Sequence, residues 1–115
     1  MSAPFAHVTE SLIKHRGVLG AMVVGLDDGL IVDSTLQVGV NGNAFAALTA
    51  SLYRKARRSA RAAGFGASTF LELAAEQGRV CTAGGQELVL VVVCEPRVNV
   101  GMLRVELLRA AELLP

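Results

Sequence analysis

Apolar positions divide the chain into runs that are continuous and runs that alternate. Residues 18–26, VLGAMVVGL, and 87–94, ELVLVVVC, are apolar at nearly every position. Both are far shorter than the roughly 20 residues of a membrane span. Short continuous runs of this kind predict strands covered on both faces, at the middle of a sheet. Residues 30–36 alternate Ile31 with Asp33, which predicts an edge strand with Asp33 toward solvent. In residues 67–76, Phe70, Glu72 and Ala74 share one face, and Thr69, Leu71, Leu73 and Ala75 the other. Residues 79–83 complete the strands, with turns at Asp27–Asp28–Gly29, Gln77–Gly78 and Gly84–Gly85.

Three segments carry helical spacing instead. Residues 4–15 put Phe5, Val8 and Leu12 on one face, with Ile13 beside them, and Arg16–Gly17 ends the helix. Residues 43–63 organise the chain. Phe45, Leu48, Leu52, Ala56, Ser59 and Ala63 form one stripe, flanked by Thr49 and Tyr53, and this stripe is expected to lie on the sheet. The reverse side is small in its first half (Ala47, Ala50, Ser51) and basic in its second (Arg54, Lys55, Arg57, Arg58, Arg61), where the helix dipole favours cations. Asn43 is the expected N-cap and Gly64 the stop. Asn99 caps a last helix over 100–114, with Val100, Leu103, Leu107, Ala110 and Leu114 inward and Arg104, Glu106, Arg109 and Glu112 wet.

The order is α–β–β–α–β–β–β–α, an α/β (α+β) fold read as one domain over residues 1–115. Double-sided strands need helices on both faces of one antiparallel sheet, and the strand order that fits is 2-1-5-4-3. That order leaves residues 69–75 at an edge that is apolar, free of proline and guarded only by Glu72. The small outward residues of the central helix would let a second helix approach closely. The expectation is a two-fold homodimer, third strand against third strand and central helices side by side. Ala47, Ala50, Ser51, Arg54, Thr69, Phe70, Leu71, Glu72 and Leu73 form its expected interface.

Composition sharpens this in a few places. Hydrophobic residues make up 52% but aromatics only 4%, so the core is built from Val, Leu and Ala. A net charge of +1 argues against a dedicated polyanion binder, and the cations are local to one helix. Arg54, Arg57, Arg58 and Arg61 are candidates for an acidic partner surface, against the alternative of a solvated face. Tyr53 is the one aromatic beside them, too little for stacking bases, so no nucleic-acid partner is expected. Residues 1–16 lack a signal-peptide apolar core, and no membrane association is expected, which places the protein in the cytoplasm.

A tight turn at Gly84–Gly85 would set Cys81 opposite about residue 88 and Cys94 roughly 20 Å away, too far for a disulfide. No catalytic site, metal or cofactor is expected. His7 and His15 lack an acid and nucleophile in pattern, and Ser34, Ser51, Ser59 and Ser68 lack an elbow context. The GLDDG stretch at 25–29 lacks further oxygen ligands. Gly39, Gly42, Gly64 and Gly66 do not match phosphate-loop spacing.

The element order, the hairpin GVLGAMVVGLDDGLIVDS and the passage LVLVVVCEPRVNVGMLRVELLRAA resemble the Roadblock family over about residues 5–113. The more specific part is the apolar strand followed by Asn99–Val100–Gly101 opening the last helix. That family includes the Roadblock dynein light chain and bacterial MglB-type proteins. The resemblance implies a profilin-like sandwich, a homodimer with a shared sheet, and a Ras-like small GTPase or a larger assembly as partner. MglB-type members stimulate GTP hydrolysis by repositioning the GTPase's own residues, without inserting a catalytic arginine, whereas dynein-type members are adaptors. The Ala/Arg-rich composition suggests a bacterial member. Beside the GTPase regulator stand a passive scaffold subunit and a small-molecule sensor. The sensor needs a polar-lined cavity, against which a Val, Leu and Ala core argues.

Overall fold

The computed structural model describes residues 5–115. The elements are α1 (Ala6–Ile13), β1 (Val18–Gly25), β2 (Ile31–Leu36), α2 (Gly42–Ala62), β3 (Phe70–Ala75), β4 (Gly78–Gly84), β5 (Leu88–Cys94) and α3 (Val100–Ala111). They build one antiparallel sheet in the predicted order, β2-β1-β5-β4-β3. The predicted start of the first helix, at residue 4, lies outside the described residues. Its end at Ile13 comes earlier than expected, and Gly17, with φ +91°, turns the chain into β1.

β1 and β5 pair at the centre and are covered on both faces, as their continuous apolar runs require. On one face Ala21, Val23, Leu90 and Val92 pack with Leu12 of α1 and Leu103 and Leu107 of α3. On the other, Met22, Val24, Val89 and Val91 pack with Ala46, Ala50 and Tyr53 of α2. Each fully buried valine or leucine contributes about 1.5–3 kcal/mol, so these two layers hold the sheet between the helices.

α1 is pinned to β2 by polar contacts. The Asp33 carboxylate accepts the Phe5 N–H at 2.7 Å, and the Thr9 and Thr35 hydroxyls meet at 2.9 Å. Asp33 is therefore buried, not solvated as its alternation with Ile31 predicts. The cause is the start of α1, whose backbone amides need an acceptor and whose dipole favours an anion.

α2 departs from expectation in two ways. Its N-cap is Asn41, not Asn43: Asn41 Oδ1 accepts the Ala44 N–H at 3.2 Å. The helix begins at Gly42, where a Cβ would stand 2.7 Å from Leu36 Cδ1, so the bare glycine lets its first turn rest closely on the side chains of β2. Its buried stripe is Ala46, Thr49, Ala50 and Tyr53. That is rotated by about 100°, one residue's turn, from the predicted stripe of Phe45, Leu48 and Leu52. Small residues bring the helix axis close to the sheet. Tyr53 then spans the gap, its hydroxyl donating to the Ser68 carbonyl at 2.8 Å.

The β4–β5 register also differs. The loop runs over residues 85–87, and the Gln86 and Glu87 amides donate to the Pro115 carbonyl at 2.9 and 2.8 Å. Cys81 therefore faces Val92, and Arg79 faces Cys94. The two cysteines are diagonal neighbours on one face, not roughly 20 Å apart as a turn at Gly84–Gly85 would place them.

The cap assignment is open to a direct comparison. Asn41→Ala should lower the unfolding free energy by about 1 kcal/mol, read from urea denaturation, while Asn43→Ala should leave it within about 0.5 kcal/mol. The reverse ranking would move the helix start back to Asn43.

Candidate functional site

β3 closes the sheet at one side, and among the described residues no strand pairs with its outer edge. Glu72, the single charge on that edge, is occupied: its carboxylate accepts from Arg79 of β4 at 2.8 Å, and Arg79 Nε donates to the Pro96 carbonyl at 2.9 Å. The edge thus keeps little of the free charge that blunts such strands. On one face of the sheet, Arg104 of α3 sits over the Phe70 ring at 5.3 Å.

On the opposite face an open groove of about 410 Å³ runs between α2 and the outer strands. Phe45 and Leu48 line its helix side, and Leu73, Val80 and Val93 its floor. Leu48 is 45% exposed and Leu73 43% exposed, so large apolar groups face water on both sides of it. Gln77 and Arg79 are its only polar side chains, and Arg79 is engaged by Glu72 and the Pro96 carbonyl, so the lining is chiefly aliphatic and offers little to orient a small ligand.

Thr69, Phe70, Leu71, Glu72 and Leu73 stand together on or beside β3, as the sequence predicts. Ala47, Ala50, Ser51 and Arg54 do not join them. They lie along the other flank of α2, toward the β1–β2 turn. Ala50 is fully buried, which corrects its reading as an outward residue. Gly29, with φ +71°, brings that turn so close that a Cβ on it would lie 3.4 Å from Ala47 Cα. Ala50 is thus used within the chain, while Ala47 stays exposed beside the turn. Residues beside the bare strand that sequence reasoning assigned to the chain's own sheet are Phe45 and Leu48. Their signal was present as the largest apolar side chains of the helix.

The basic residues divide in the same way. Arg54 donates to the Leu26 and Asp27 carbonyls at 2.6 and 3.3 Å. Arg57 donates to the Gly85 and Gln86 carbonyls at 2.7 and 3.3 Å, with its guanidinium 6.0 Å from the Tyr53 ring centre. These two close the ends of two hairpins, so their reading as partner contacts gives way to a structural role. Arg58 and Arg61 are exposed.

Cys81 and Cys94 are buried free thiols on neighbouring strands, and the Cys94 thiol donates to the Val92 carbonyl at 3.8 Å. The neighbouring Cys81 thiol and burial push the Cys94 thiol up, Cys94 beside it lowers Cys81, and burial closes both to solvent. His15 contacts Glu106 and ties the end of α1 to α3. Among the described residues no cluster of His, Cys, Asp or Glu could hold a metal, and no helix is long and apolar enough to cross a membrane.

The family model of the Roadblock/LC7 domain matches residues 5–94. The chain belongs to that family. The match ends where β5 ends, so the Asn99–Val100–Gly101 passage lies beyond it. Two uncharacterised proteins of Methanocaldococcus jannaschii are 34% and 33% identical over 101 residues, 88% of this chain and 88% of each relative. Among solved structures, a Roadblock/LC7 domain from Streptomyces avermitilis has a TM-score of 0.81 at 16% identity, covering 92% of this chain and 90% of that one. MglB of Myxococcus xanthus has a TM-score of 0.81 at 20% identity, with 94% and 89% covered. An MglB in a tetrameric arrangement has a TM-score of 0.82 at 19% identity, with 94% and 82% covered. At these identities the structures speak to the Roadblock fold.

The split among the arginines has a stability signature. Arg54→Ala and Arg57→Ala should each lower the unfolding free energy by about 1–2 kcal/mol, since each strands carbonyls that a charged donor now satisfies. Arg58→Ala and Arg61→Ala should stay within about 0.5 kcal/mol of the parent. Equal, small effects at all four positions in urea melts would return Arg54 and Arg57 to the surface.

Proposed function

We propose that this Roadblock chain acts as one cytoplasmic domain that pairs with a second copy of itself, and that the dimer regulates a small Ras-like GTPase. The observation that carries the reading is the bare β3 edge beside an apolar groove. Two copies related by a two-fold axis would join β3 to β3, extending one sheet across both. The same axis would bring the exposed Leu48 side of each α2 over the groove of the other chain. The interface then comprises Thr69, Phe70, Leu71, Glu72 and Leu73 with Phe45 and Leu48, in place of Ala47, Ala50, Ser51 and Arg54.

The GTPase reading rests on the family and on the fold shared with MglB. A contact for an acidic partner surface would use Arg58 and Arg61, the exposed arginines of the basic set, with the exposed Lys55 beside them. Regulation of this kind asks no catalytic group of the regulator, in keeping with an interface made of backbone edge, aliphatic side chains and arginines. A passive scaffold would use the same dimer, and the two differ in one measurement.

Two experiments test the reading. Leu73→Glu should convert the dimer to single copies in sedimentation at micromolar concentration, because it would place a charge in an apolar seam twice. A wild-type chain that sediments as single copies would end the dimer. For the partner, the Ras-like GTPases of the same organism are assayed for GTP hydrolysis with the dimer present. Faster turnover, reduced by R58E/R61E, is the expected result. Binding without faster turnover would make the chain a scaffold, and no binding to any of them would remove the GTPase.

A further inference from the structure

Residues 34–71 contain no aspartate or glutamate, although the chain has ten acids, and they hold Arg54, Lys55, Arg57, Arg58 and Arg61. Arg54 and Arg57 are spent on turn carbonyls, whereas Lys55, Arg58 and Arg61 are exposed. The ion pairs among the described residues, His15 with Glu106 and Arg79 with Glu72, involve none of these three. They follow one another three residues apart, so they are neighbours on the helix surface and repel. An anionic surface relieves that repulsion.

Just beyond these cations stands Phe65, the one exposed aromatic among the described residues, at 84%. The cap of α2 fixes its place. The Phe65 N–H donates to the Ala60 carbonyl at 2.8 Å and the Gly64 N–H to the Arg61 carbonyl at 3.0 Å, while Gly64 takes φ +80°. In this cap the residue after the glycine commonly folds an apolar side chain back onto the helix. Here the residue it would meet is Ala60, and the ring stays in water. Gly66, also at φ +80°, shapes the far side of the loop. The cap needs the Gly64 backbone and not the ring. A ring presented on bonded backbone loses little freedom when it is buried by a partner.

An acidic protein and an anionic bilayer both suit a ring set before cations, and shape chooses between them. Neither Phe65 nor the three cations line the groove beside β3 or the one between α1 and α3, so the cluster is a projection and not a cleft. One ring and one sign of charge fix no orientation on a protein, where register comes from both signs in pattern. A bilayer asks for less. It takes an aromatic side chain about 5–10 Å into the boundary between headgroups and acyl chains. Lysine and arginine side chains are long enough to stay on the headgroups meanwhile.

We propose that the C-terminal end of α2 docks on an anionic bilayer, with Phe65 in the interface and Lys55, Arg58 and Arg61 on lipid phosphates. The contact is peripheral, so the lack of a spanning helix among the described residues does not bear on it. It does not rest on the GTPase reading, in which Phe65 has no part.

The chain has no tryptophan, so F65W reports from that position alone. With vesicles of phosphatidylcholine and phosphatidylglycerol, its emission should shift to the blue and the full chain should sediment with the lipid. Vesicles of phosphatidylcholine alone should do neither. F65S should weaken binding to the anionic vesicles about tenfold or more, the worth of one buried ring. R58E/R61E should weaken it by more than about a hundredfold, at roughly fivefold for each unit of charge. All three sites are exposed, so circular dichroism and urea midpoints should match the wild type. A wild-type chain that ignores anionic vesicles overturns the inference and leaves the basic end to a protein surface. An F65W emission that does not move, or F65S binding as tightly as wild type, overturns it too, because the cations would then adsorb without the ring.

Discussion

A helix with its side chains is about 10 Å wide, while five strands spaced about 4.8 Å apart span roughly 20 Å, so covering one face of this sheet takes two helices. One face has two, α1 and α3. The other has α2 alone, lying mainly over β2, β1 and β5. The central strands gain burial on both faces, but β3 and the outer part of β4 keep an uncovered apolar side. The groove beside Leu48 and Leu73 follows from this shortfall in width, not from a ligand site. The described residues hold no fourth helix to fill this gap, and the open edge next to it is where a second copy could supply one.

The same shortfall explains why the strands were legible in the sequence and the phase of the central helix was not. Continuous apolar runs in β1 and β5, alternation in β3 and the turn at Asp27–Asp28–Gly29 state local burial, and they led to the observed strand order. Periodicity in α2 found an apolar stripe, but periodicity cannot say whose apolar surface the stripe meets. Phe45, Leu48 and Leu52 are the largest apolar groups, so they were assigned to the chain's own sheet. The sheet instead takes Ala46 and Ala50, whose small size brings the helix close, and Tyr53, which needs the Ser68 carbonyl. The β4–β5 register was hidden for another reason. Its loop is fixed by the carbonyl of Pro115, far away in sequence, and no local turn signal carries that.

The basic half of α2 shows how a charge run can mislead in part. Cations near a helix C-terminus suit the dipole, and that is what the pattern displays. Their reach is a separate matter. Arg54 and Arg57 extend from the flank toward the β1–β2 and β4–β5 ends, where turns leave carbonyls without partners. A guanidinium offers several donors in one plane, so each arginine satisfies two of these acceptors. The helix is thereby tied to the sheet at its edge by polar bonds as well as across its face by apolar contact.

The two edges of the sheet are not equivalent, and this bears on the form an assembly can take. At β2, Val23 pairs with Asp33 and Val24 with Ile31, leaving Val32 as an extra residue in a bulge. A bulge twists an edge and interrupts its row of donors and acceptors. β3 has an unbroken register from Phe70 to Ala75 and no such interruption. Head-to-tail pairing of β3 with β2 of the next chain would build an open ladder without end, and the bulge works against it. β3 against β3 about a two-fold axis uses the regular edge twice and leaves only bulged edges outside. The bulge at Val32 therefore works against a fibre, and a closed pair is the arrangement that the proposed self-association would take.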